Sequence, residues 1–246
     1  MEFLEIDGSF GEGGGQIVRT AITLSCILHK PVIVKNIRKG RKNPGLKPQH
    51  LMALKILRKI CDAKIENLKV GSTSLQFSPN KVKSIELNED VGTAGSIPLI
   101  FQVLIPLVAI SKKRLKLSIK GGTDVLWSPT IDYTRFILKD VYSRMGINFS
   151  INVIKRGYYP RGGGLIKLEV FPTDKITPII LKQRKTKKVD LRCTFSKIKS
   201  EIISKEIDKI RKHLTKNNFV VEKQIKKEIA LDSGASVMIS CVDIDS

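Results

Sequence analysis

A glycine-rich segment near the start of the chain combines residue types that are suited to holding an anion. Residues 11–19 read Gly-Glu-Gly-Gly-Gly-Gln-Ile-Val-Arg, between a strand-like run at 3–6 and a helix-like run at 17–28. Glycine lets the backbone approach a ligand closely, and the first N–H groups of a following helix favour negative charge. Arg19 supports binding of an anion, and Glu12 is suited to a metal ion or a hydrogen bond. The alternative is a glycine-rich turn without a ligand.

Two common phosphate-binding fingerprints do not describe this segment. A Walker loop ends in Gly-Lys-Ser/Thr, whereas Gly15 is followed by Gln-Ile. A dinucleotide fingerprint that starts at Gly11 requires Gly or Ala where the chain has Gln16. It also requires an acidic residue about 20 positions later, a region occupied here by Arg38 and Arg41. The segment therefore predicts a different kind of anion site.

A second segment, residues 37–50, carries five cations ahead of a helix that Pro48 begins. Arg38 and Arg41 are suited to paired hydrogen bonds with phosphate oxygens, and His50 follows in the first helical turn. An exposed basic turn is the alternative, since most charged runs are solvated. This basic segment follows the second predicted strand of the same unit, close to the glycine-rich segment. Its position favours a single site formed by the two segments.

Composition points to a polyanionic partner. The 246 residues contain 44 Lys and Arg against 23 Asp and Glu, a net charge of +21, which is typical of nucleic-acid binding, although heat-adapted proteins are also lysine-rich. The four cysteines form no Cys-x-x-Cys pair, which favours reduced thiols in a cytoplasmic protein and disfavours a zinc site. The N-terminus lacks a signal pattern, and the longest apolar run, 97–110, is too short for a bilayer and predicts a core helix.

Hydrophobic periodicity predicts a repeated βαβαββ arrangement followed by a βαββ module. The predicted strands are 2–7, 32–38, 64–69, 74–78, 84–88, 115–120, 149–155, 163–171, 189–195, 219–225 and 235–243. The predicted helices are 15–28, 47–61, 93–111, 130–145 and 199–217. The fold class is thus mixed, α+β (α/β), with units at 1–83 and 84–178 and a module at 179–246. A basic run at 182–188 opens the module, and its last strand is expected to be an open edge.

Three motifs of the second unit place small residues at turns. They are residues 92–96 (Gly-Thr-Ala-Gly-Ser), 121–124 (Gly-Gly-Thr-Asp) and 156–164, which contains Arg156, Arg161, two tyrosines and four glycines. Close approach of the backbone to a ligand explains such residues, and so does plain turn geometry. The third motif is suited to contacting RNA by stacking and phosphate binding, or it is a wide β-turn.

Taken together, the motifs resemble the RNA 3′-terminal phosphate cyclase family: Gly-Glu-Gly-Gly-Gly-Gln, Ile-Arg-Lys-Gly-Arg-x-x-Pro-Gly-Leu-x-x-Gln-His and the three motifs of the second unit occur in the family's order. The resemblance implies three βαβαββ units with a small βαββ domain inserted before the third. It also implies a ligase that converts an RNA 3′-phosphate to a 2′,3′-cyclic phosphate. The family uses ATP and a divalent metal, Mg or Mn, and proceeds through a histidyl-adenylate and an adenylated RNA end.

The resemblance also implies roles for individual residues. Glu12 would help hold the divalent metal, while the residues that bind phosphates of ATP or of the RNA end would be Arg19, Arg38, Arg41 and His50. Gln102 matches a nucleotide-binding position, and Pro129 would pack against adenine. The expected partners are RNA 3′-phosphate ends and ATP, with no membrane; a homodimer is allowed.

The sequence departs from the family at its C-terminal end. The nucleophilic histidine and an Asp-Gln pair of the family lie in the third unit, which we expect to be absent, so that no catalytic residue is assigned. The three histidines present, His29, His50 and His213, do not match the nucleophile. We therefore expect the chain to be a C-terminally truncated cyclase that forms no adenylate itself. Two alternatives are a non-catalytic RNA-binding relative in ribosomal RNA processing and an enolpyruvyl transferase, the latter disfavoured by the charge and the glycine motif.

Overall fold

Two four-stranded sheets with the same strand order account for most of the chain. The computed structural model describes residues 2–180 and 186–241. The first unit comprises β1 (Leu4–Asp7), α1 (Gly15–Leu28), β2 (Val32–Lys35), α2 (Pro48–Cys61), β3 (Lys64–Glu66) and β4 (Leu75–Ser78). Its strands lie in the order β1-β2-β4-β3, with β1 and β2 parallel and β3 and β4 forming an antiparallel hairpin.

The second unit repeats this topology. It comprises β5 (Ile85–Asp90), α3 (Ile97–Ile110), β6 (Leu115–Gly121), a π-helical turn (Tyr133–Leu138) that continues as α4 (Lys139–Arg144), β7 (Phe149–Lys155) and β8 (Gly164–Val170). Its order is β5-β6-β8-β7, again with a parallel first pair and an antiparallel hairpin. The predicted repeat is confirmed at the level of strand order, while the boundaries between the units remain a prediction.

The remaining elements form a three-stranded βαββ module. It contains β9 (Lys188–Ser196), α5 (Ser200–Lys216), β10 (Val220–Lys227) and β11 (Gly234–Ser240), in the order β10-β9-β11. Within the described residues β11 pairs only with β9, so it is the edge strand that was predicted. Most of the predicted basic run at 182–188 and the last residues, 242–246, lie outside the described residues.

The two units share one hydrophobic core. It is built from helices α1, α2 and α3 and from the inner faces of both sheets, and Leu104, Leu107 and Val108 of α3 are buried in it. The module has a smaller core of its own around Leu191 and Ile207. Cys26, Cys61 and Cys193 are buried free thiols, as expected. Among the described residues, the helices do not have the length and apolar character that a membrane span requires.

The predicted start of α3 was wrong by four residues. The helix begins at Ile97 and not at position 93, because residues 92–96 form a loop. Ser96 caps the helix: its hydroxyl accepts a hydrogen bond of 3.3 Å from the backbone N–H of Leu99, the usual role of serine at this position. The loop and the first turn of α3 face the first unit, where Gly95 lies close to the backbone of Gln49 and Leu99 lines a cleft with residues of that unit.

Candidate functional site

The parallel pairing of β1 and β2 places two loops side by side. The carboxyl ends of parallel neighbours meet at one sheet edge, and so the glycine-rich loop (8–14) lies beside the basic loop (36–47). Asp7 joins them, because its Oδ1 accepts hydrogen bonds from the Ser9 N–H at 3.0 Å and from Asn36 Nδ2 at 3.2 Å. These hydrogen bonds, the one from the Ser9 N–H first, lower the pKa of Asp7.

A cleft of about 630 Å³ opens where the two loops meet. Its lining is dominated by cations and by the first turns of helices, and consists of Glu12, Gly14, Gly15, Gln16, Arg19, Arg38, Arg41, Lys42, Asn43, Lys47, Gln49, His50, Leu99 and Trp127. The first turns of α1, α2 and α3 all reach this cleft. Five cations and three helix N-termini against one carboxylate make it a strong site for a polyanion.

His50 lies at the base of the cleft, directly beside Gly15. Its side chain is buried, and a β-carbon at Gly15 would come within 2.7 Å of Cε1 of the imidazole. Nδ1 accepts a hydrogen bond of 3.1 Å from the backbone N–H of Lys47. A neutral ring therefore carries its proton on Nε2. Burial, and then the charges of Arg19, Arg38 and Lys47, lower the pKa of His50 to about 3.

Arg19 links the cleft to a smaller cavity that contains Gln102. The second cavity, of about 180 Å³, is lined by Gln16, Arg19, Thr20, Thr23, Leu24 and Gln102. Nη2 of Arg19 donates to Oε1 of Gln16 at 2.7 Å, and burial lowers the pKa of Arg19 to about 10. Within the described part of the chain, Nε of Arg19 and Oε1 of Gln102 are buried without a hydrogen-bond partner. Such orphaned polar atoms call for a ligand or water.

The two arginines of the basic loop have different surroundings. Arg38 adopts a left-handed backbone (φ 55°) and its Nη1 donates to the carbonyl oxygens of Asn43 at 2.7 Å and Gly45 at 3.3 Å. These contacts fold the loop back on itself; burial, followed by the charge of Arg41, lowers the pKa of Arg38. Arg41 instead forms an exposed ion pair with Glu12 across the mouth of the cleft.

The structure thus brings five of the seven predicted site residues into one cleft, namely Glu12, Arg19, Arg38, Arg41 and His50. Gln102 lines the adjoining cavity. Pro129 is not among the described residues that line the cleft, although Trp127, two positions earlier, is. The sequence-based assignment missed Trp127 and Leu99. Trp127 carried one usable signal, since it is the only tryptophan in the chain and adjoins a small-residue motif.

The small residues of the second unit bring backbone segments together. A β-carbon at Gly121 would lie 3.0 Å from the Gly95 carbonyl oxygen, and one at Gly162 would lie 2.8 Å from Cα of Ala94. A β-carbon at Gly164 would lie 2.6 Å from the Gly157 nitrogen. Close approach of backbone segments therefore accounts for Gly121, Gly162 and Gly164 without a bound ligand.

The motif at 156–164 holds the βαββ module against the second unit. Arg156, only 1% exposed, hydrogen-bonds to Asp124 at 3.1 Å, to Asp132 at 2.8 Å and to Glu228, which follows β10. Arg161 pairs with Asp232 of the module at 2.8 Å. Both arginines are thus paired with carboxylates. This pairing favours a structural role for the hairpin over direct contact with phosphate.

Comparison with known proteins identifies relatives over nearly the whole chain. Residues 10–244 match the family model described as RNA 3′-terminal phosphate cyclase. Relatives from several archaea carry that name, and three of them illustrate the extent of the match. The one from Methanococcoides burtonii is 43% identical over 208 residues, which cover 85% of this chain and 62% of the relative. The one from Korarchaeum cryptofilum is 39% identical over 97% of this chain and 69% of its own length.

The relative from Methanosarcina acetivorans is 53% identical over 161 residues, 65% of this chain and 45% of its own length. The chain therefore spans about half to two thirds of the length of the curated relatives that it matches. Matches of this extent, together with the cleft and the repeated sheets, place the chain in the RNA 3′-terminal phosphate cyclase family.

Proposed function

We propose that the cleft binds the phosphates of ATP and of an RNA 3′-phosphate end. The proposed activity is ATP-dependent conversion of that end to a 2′,3′-cyclic phosphate, with release of AMP and diphosphate. The names of the relatives support cyclisation of an RNA 3′-terminal phosphate. The observation that carries the proposal is the convergence of five cations and three helix N-termini on one cleft. A surface that was basic only for solubility would not concentrate these groups around one cavity.

The proposed chemistry relies on proximity. Transfer of the adenylate to the RNA 3′-phosphate makes that phosphorus electrophilic, and the neighbouring 2′-hydroxyl then displaces AMP. Because the hydroxyl and the phosphate belong to one ribose, ring closure is intramolecular and the protein's main task is orientation. In this proposal Arg19, Arg38 and Arg41 hold and neutralise the phosphates. We assign no residue of this sequence as the nucleophile that becomes adenylated. That the sequence lacks this nucleophile remains a prediction.

His50 has the properties of a neutral hydrogen-bond donor. Its pKa of about 3 keeps the ring uncharged at neutral pH, and Nδ1 is occupied by the Lys47 N–H, which leaves Nε2–H for a ligand oxygen. A ring in this state is not poised to attack phosphorus through Nε2, because that nitrogen carries the proton. We therefore assign His50 to binding of the phosphates and not to nucleophilic attack.

A divalent metal fits the cleft as a companion of bound phosphates. The described residues contain no cluster of three or more acidic, histidine or cysteine side chains that could hold a metal alone. Glu12 supplies one hard oxygen at the mouth of the cleft, and Mg²⁺ is commonly bound by one or two carboxylates together with substrate phosphates. When bound, the metal would neutralise phosphate charge; Glu12 would first have to leave Arg41.

Binding by matched oligoribonucleotides tests the proposal. A short RNA with a 3′-phosphate is compared with the same RNA ending in a 3′-hydroxyl, and ATP with Mg²⁺ is titrated separately. We expect the 3′-phosphate to bind more tightly, and Arg41→Gln to weaken that binding about 10- to 100-fold, the value of a lost charge-assisted hydrogen bond. Arg58→Gln is the control, because it removes the same charge from an exposed site at the other end of α2.

Equal affinity for the two RNA ends would contradict the proposal, as would equal effects of the two substitutions. The chain could prefer the 3′-phosphate and yet form no cyclic phosphate when it is supplied with ATP and metal. That result would support the binding function and would restrict the role of this chain to binding.

A further inference from the structure

Trp127 is an unusually exposed aromatic residue. It is the only tryptophan of the chain, the residue is 99% exposed, and its backbone has a positive φ of 64°. Large aromatic side chains are highly buried on average, and a bulky residue in the left-handed region is rare. Packing within the protein therefore does not explain the position of this indole.

The indole occupies a distinctive place in the cleft. Trp127 and Leu99 are the only apolar side chains among the described residues that line it, and both come from the second unit. The charged lining residues all come from the first unit. Leu99 is largely buried in the first turn of α3, so the cleft offers a cationic side, which suits phosphate, and one free aromatic face.

The loop that carries Trp127 is anchored on both sides. Before it, Asp124 pairs with the buried Arg156 at 3.1 Å, and after it, Asp132 pairs with the same guanidinium at 2.8 Å. Within the loop, the Ser128 hydroxyl donates to the Val125 carbonyl at 2.9 Å. The indole is thus projected from a fixed base, which limits the conformational entropy that a ligand must remove on binding.

We infer that Trp127 is a stacking platform for the nucleobase of a nucleotide whose phosphates lie among the cations of the cleft. This inference rests on the proposed function and adds to it the group that recognises the base. Stacking on an aromatic side chain contributes about 1–3 kcal/mol per base and tolerates any base, because every base has a π-face. Two ligands carry the required chemistry: the adenine of ATP and the terminal base of the RNA.

The fluorescence of this single tryptophan provides a direct test. Three ligands are titrated: pyrophosphate, which has no base; ATP with Mg²⁺; and a short RNA with a 3′-phosphate. An RNA whose 3′-phosphorylated terminal residue is abasic is the matched control. We expect quenching by ATP, by the RNA or by both, and little quenching by pyrophosphate. Quenching by ATP alone identifies adenine, whereas quenching by the RNA that the abasic end abolishes identifies the terminal base.

Calorimetry with variants completes the test. We expect Trp127→Ala to lower the affinity for the ligand that quenches the fluorescence about 5- to 100-fold and to leave the affinity for pyrophosphate unchanged. Trp127→Phe should recover most of the lost affinity. Leu126→Ala is the control, since Leu126 is 87% exposed and does not line the cleft. If ATP and RNA bind, but neither quenches the fluorescence and Trp127→Ala changes neither affinity, the stacking inference is wrong and the proposed phosphate site is retained. If pyrophosphate, ATP and RNA all fail to bind, both proposals fall.

Discussion

Gly15 and His50 lie in contact where the first turns of α1 and α2 meet. A β-carbon at Gly15 would come 2.7 Å from Cε1 of His50 and 3.2 Å from Nη1 of Arg19. At the preceding Gly14, the same atom would meet Nη2 of Arg41 at an ordinary 3.5 Å. The two neighbouring glycines therefore serve different purposes, and only Gly15 leaves room for the buried imidazole.

Substitution of these two glycines by alanine separates steric need from backbone flexibility. We expect Gly15→Ala to displace His50 and Arg19, to lower pyrophosphate affinity about 10-fold or more and to destabilise the fold by about 1–3 kcal/mol. Gly14→Ala should retain affinity close to that of the parent. Calorimetric titration and urea unfolding measure the two effects. Similar losses of affinity in the two variants would show that the contact with His50 does not shape the site.

The charge state of His50 should depend on pH and on bound anion. Its pKa of about 3 lies below the ordinary 6.5, because of burial first and the surrounding cations second. Between these values the unfolded chain binds a proton that the folded chain does not, so this residue makes stability fall as the pH drops from about 6.5 towards 3. A bound polyanion offsets the cations and should raise the pKa of His50.

Nuclear magnetic resonance titration of the imidazole, with and without pyrophosphate, measures this shift. His50→Gln identifies the resonance; glutamine at this third helical position is also able to accept the Lys47 N–H. In the variant we expect a shallower loss of unfolding free energy on acidification. If the His50 pKa is unaltered by pyrophosphate while the anion binds, the imidazole does not face the ligand.

Local sequence patterns were sufficient to predict most elements and one side of the cleft. The helix predicted at 15–28 matches α1, and the loops carrying Glu12 and Arg38 meet because they follow adjacent parallel strands. Such features depend on short-range periodicity and on one topological rule. Gln102 and Pro129, in contrast, were assigned only through a family resemblance.

The contribution of the second unit depends on packing between distant segments, which one sequence does not encode locally. Leu99 lines the cleft because α3 packs against α1 and α2 of the first unit. In the sequence, the glycines at 121 and 162 are compatible with a bound ligand or with plain turn geometry; in the structure, they contact backbone more than 25 residues away in the chain. Close approach of the backbone requires the same small residues whether the neighbour is a ligand or another loop, so the sequence does not distinguish these two cases.

Glu12→Gln should affect anion binding in opposite directions with and without metal. Without metal the substitution removes a negative charge and releases Arg41, so we expect pyrophosphate to bind more tightly. With Mg²⁺ we expect weaker ATP binding, since the variant lacks the carboxylate ligand. Stability should hardly change, because Glu12 is 84% exposed. Glu66→Gln, outside the cleft, is the control. Tighter ATP binding by Glu12→Gln in Mg²⁺ would rule out a metal ligand here.

Arg156 connects three carboxylates, two from the ends of the loop that carries Trp127 and one from the module. Burial alone would lower its pKa, but Asp124, Asp132 and Glu228 outweigh this effect and raise it. Burial raises the pKa of Asp124. For Glu228 burial also acts upwards, but the hydrogen bond and charge of Arg156 predominate and lower the pKa. The guanidinium thus compensates buried negative charge at the contact between the module and the second unit.

Replacement of this guanidinium should be far more costly than replacement of its exposed neighbour. We expect Arg156→Met to destabilise the protein by about 3–5 kcal/mol at pH 7, because Asp124 and Asp132 stay buried without their partner. Arg161→Met removes an ion pair whose arginine is mostly exposed and should cost less than about 1 kcal/mol. Urea unfolding measures both, and hydrogen exchange locates the change at the module's contact.

The difference between Arg156→Met and the parent should narrow as the pH falls from 7 towards about 4. In the variant Asp124 keeps the burial that raises its pKa and loses the guanidinium that opposes this effect, so we expect the folded state to take up a proton and the penalty of unpaired charge to decline. In the parent, Glu228 has a lowered pKa, and its contribution is lost on acidification. A difference in unfolding free energy that stayed constant over this range would mean that packing, and not charge compensation, determines the role of Arg156.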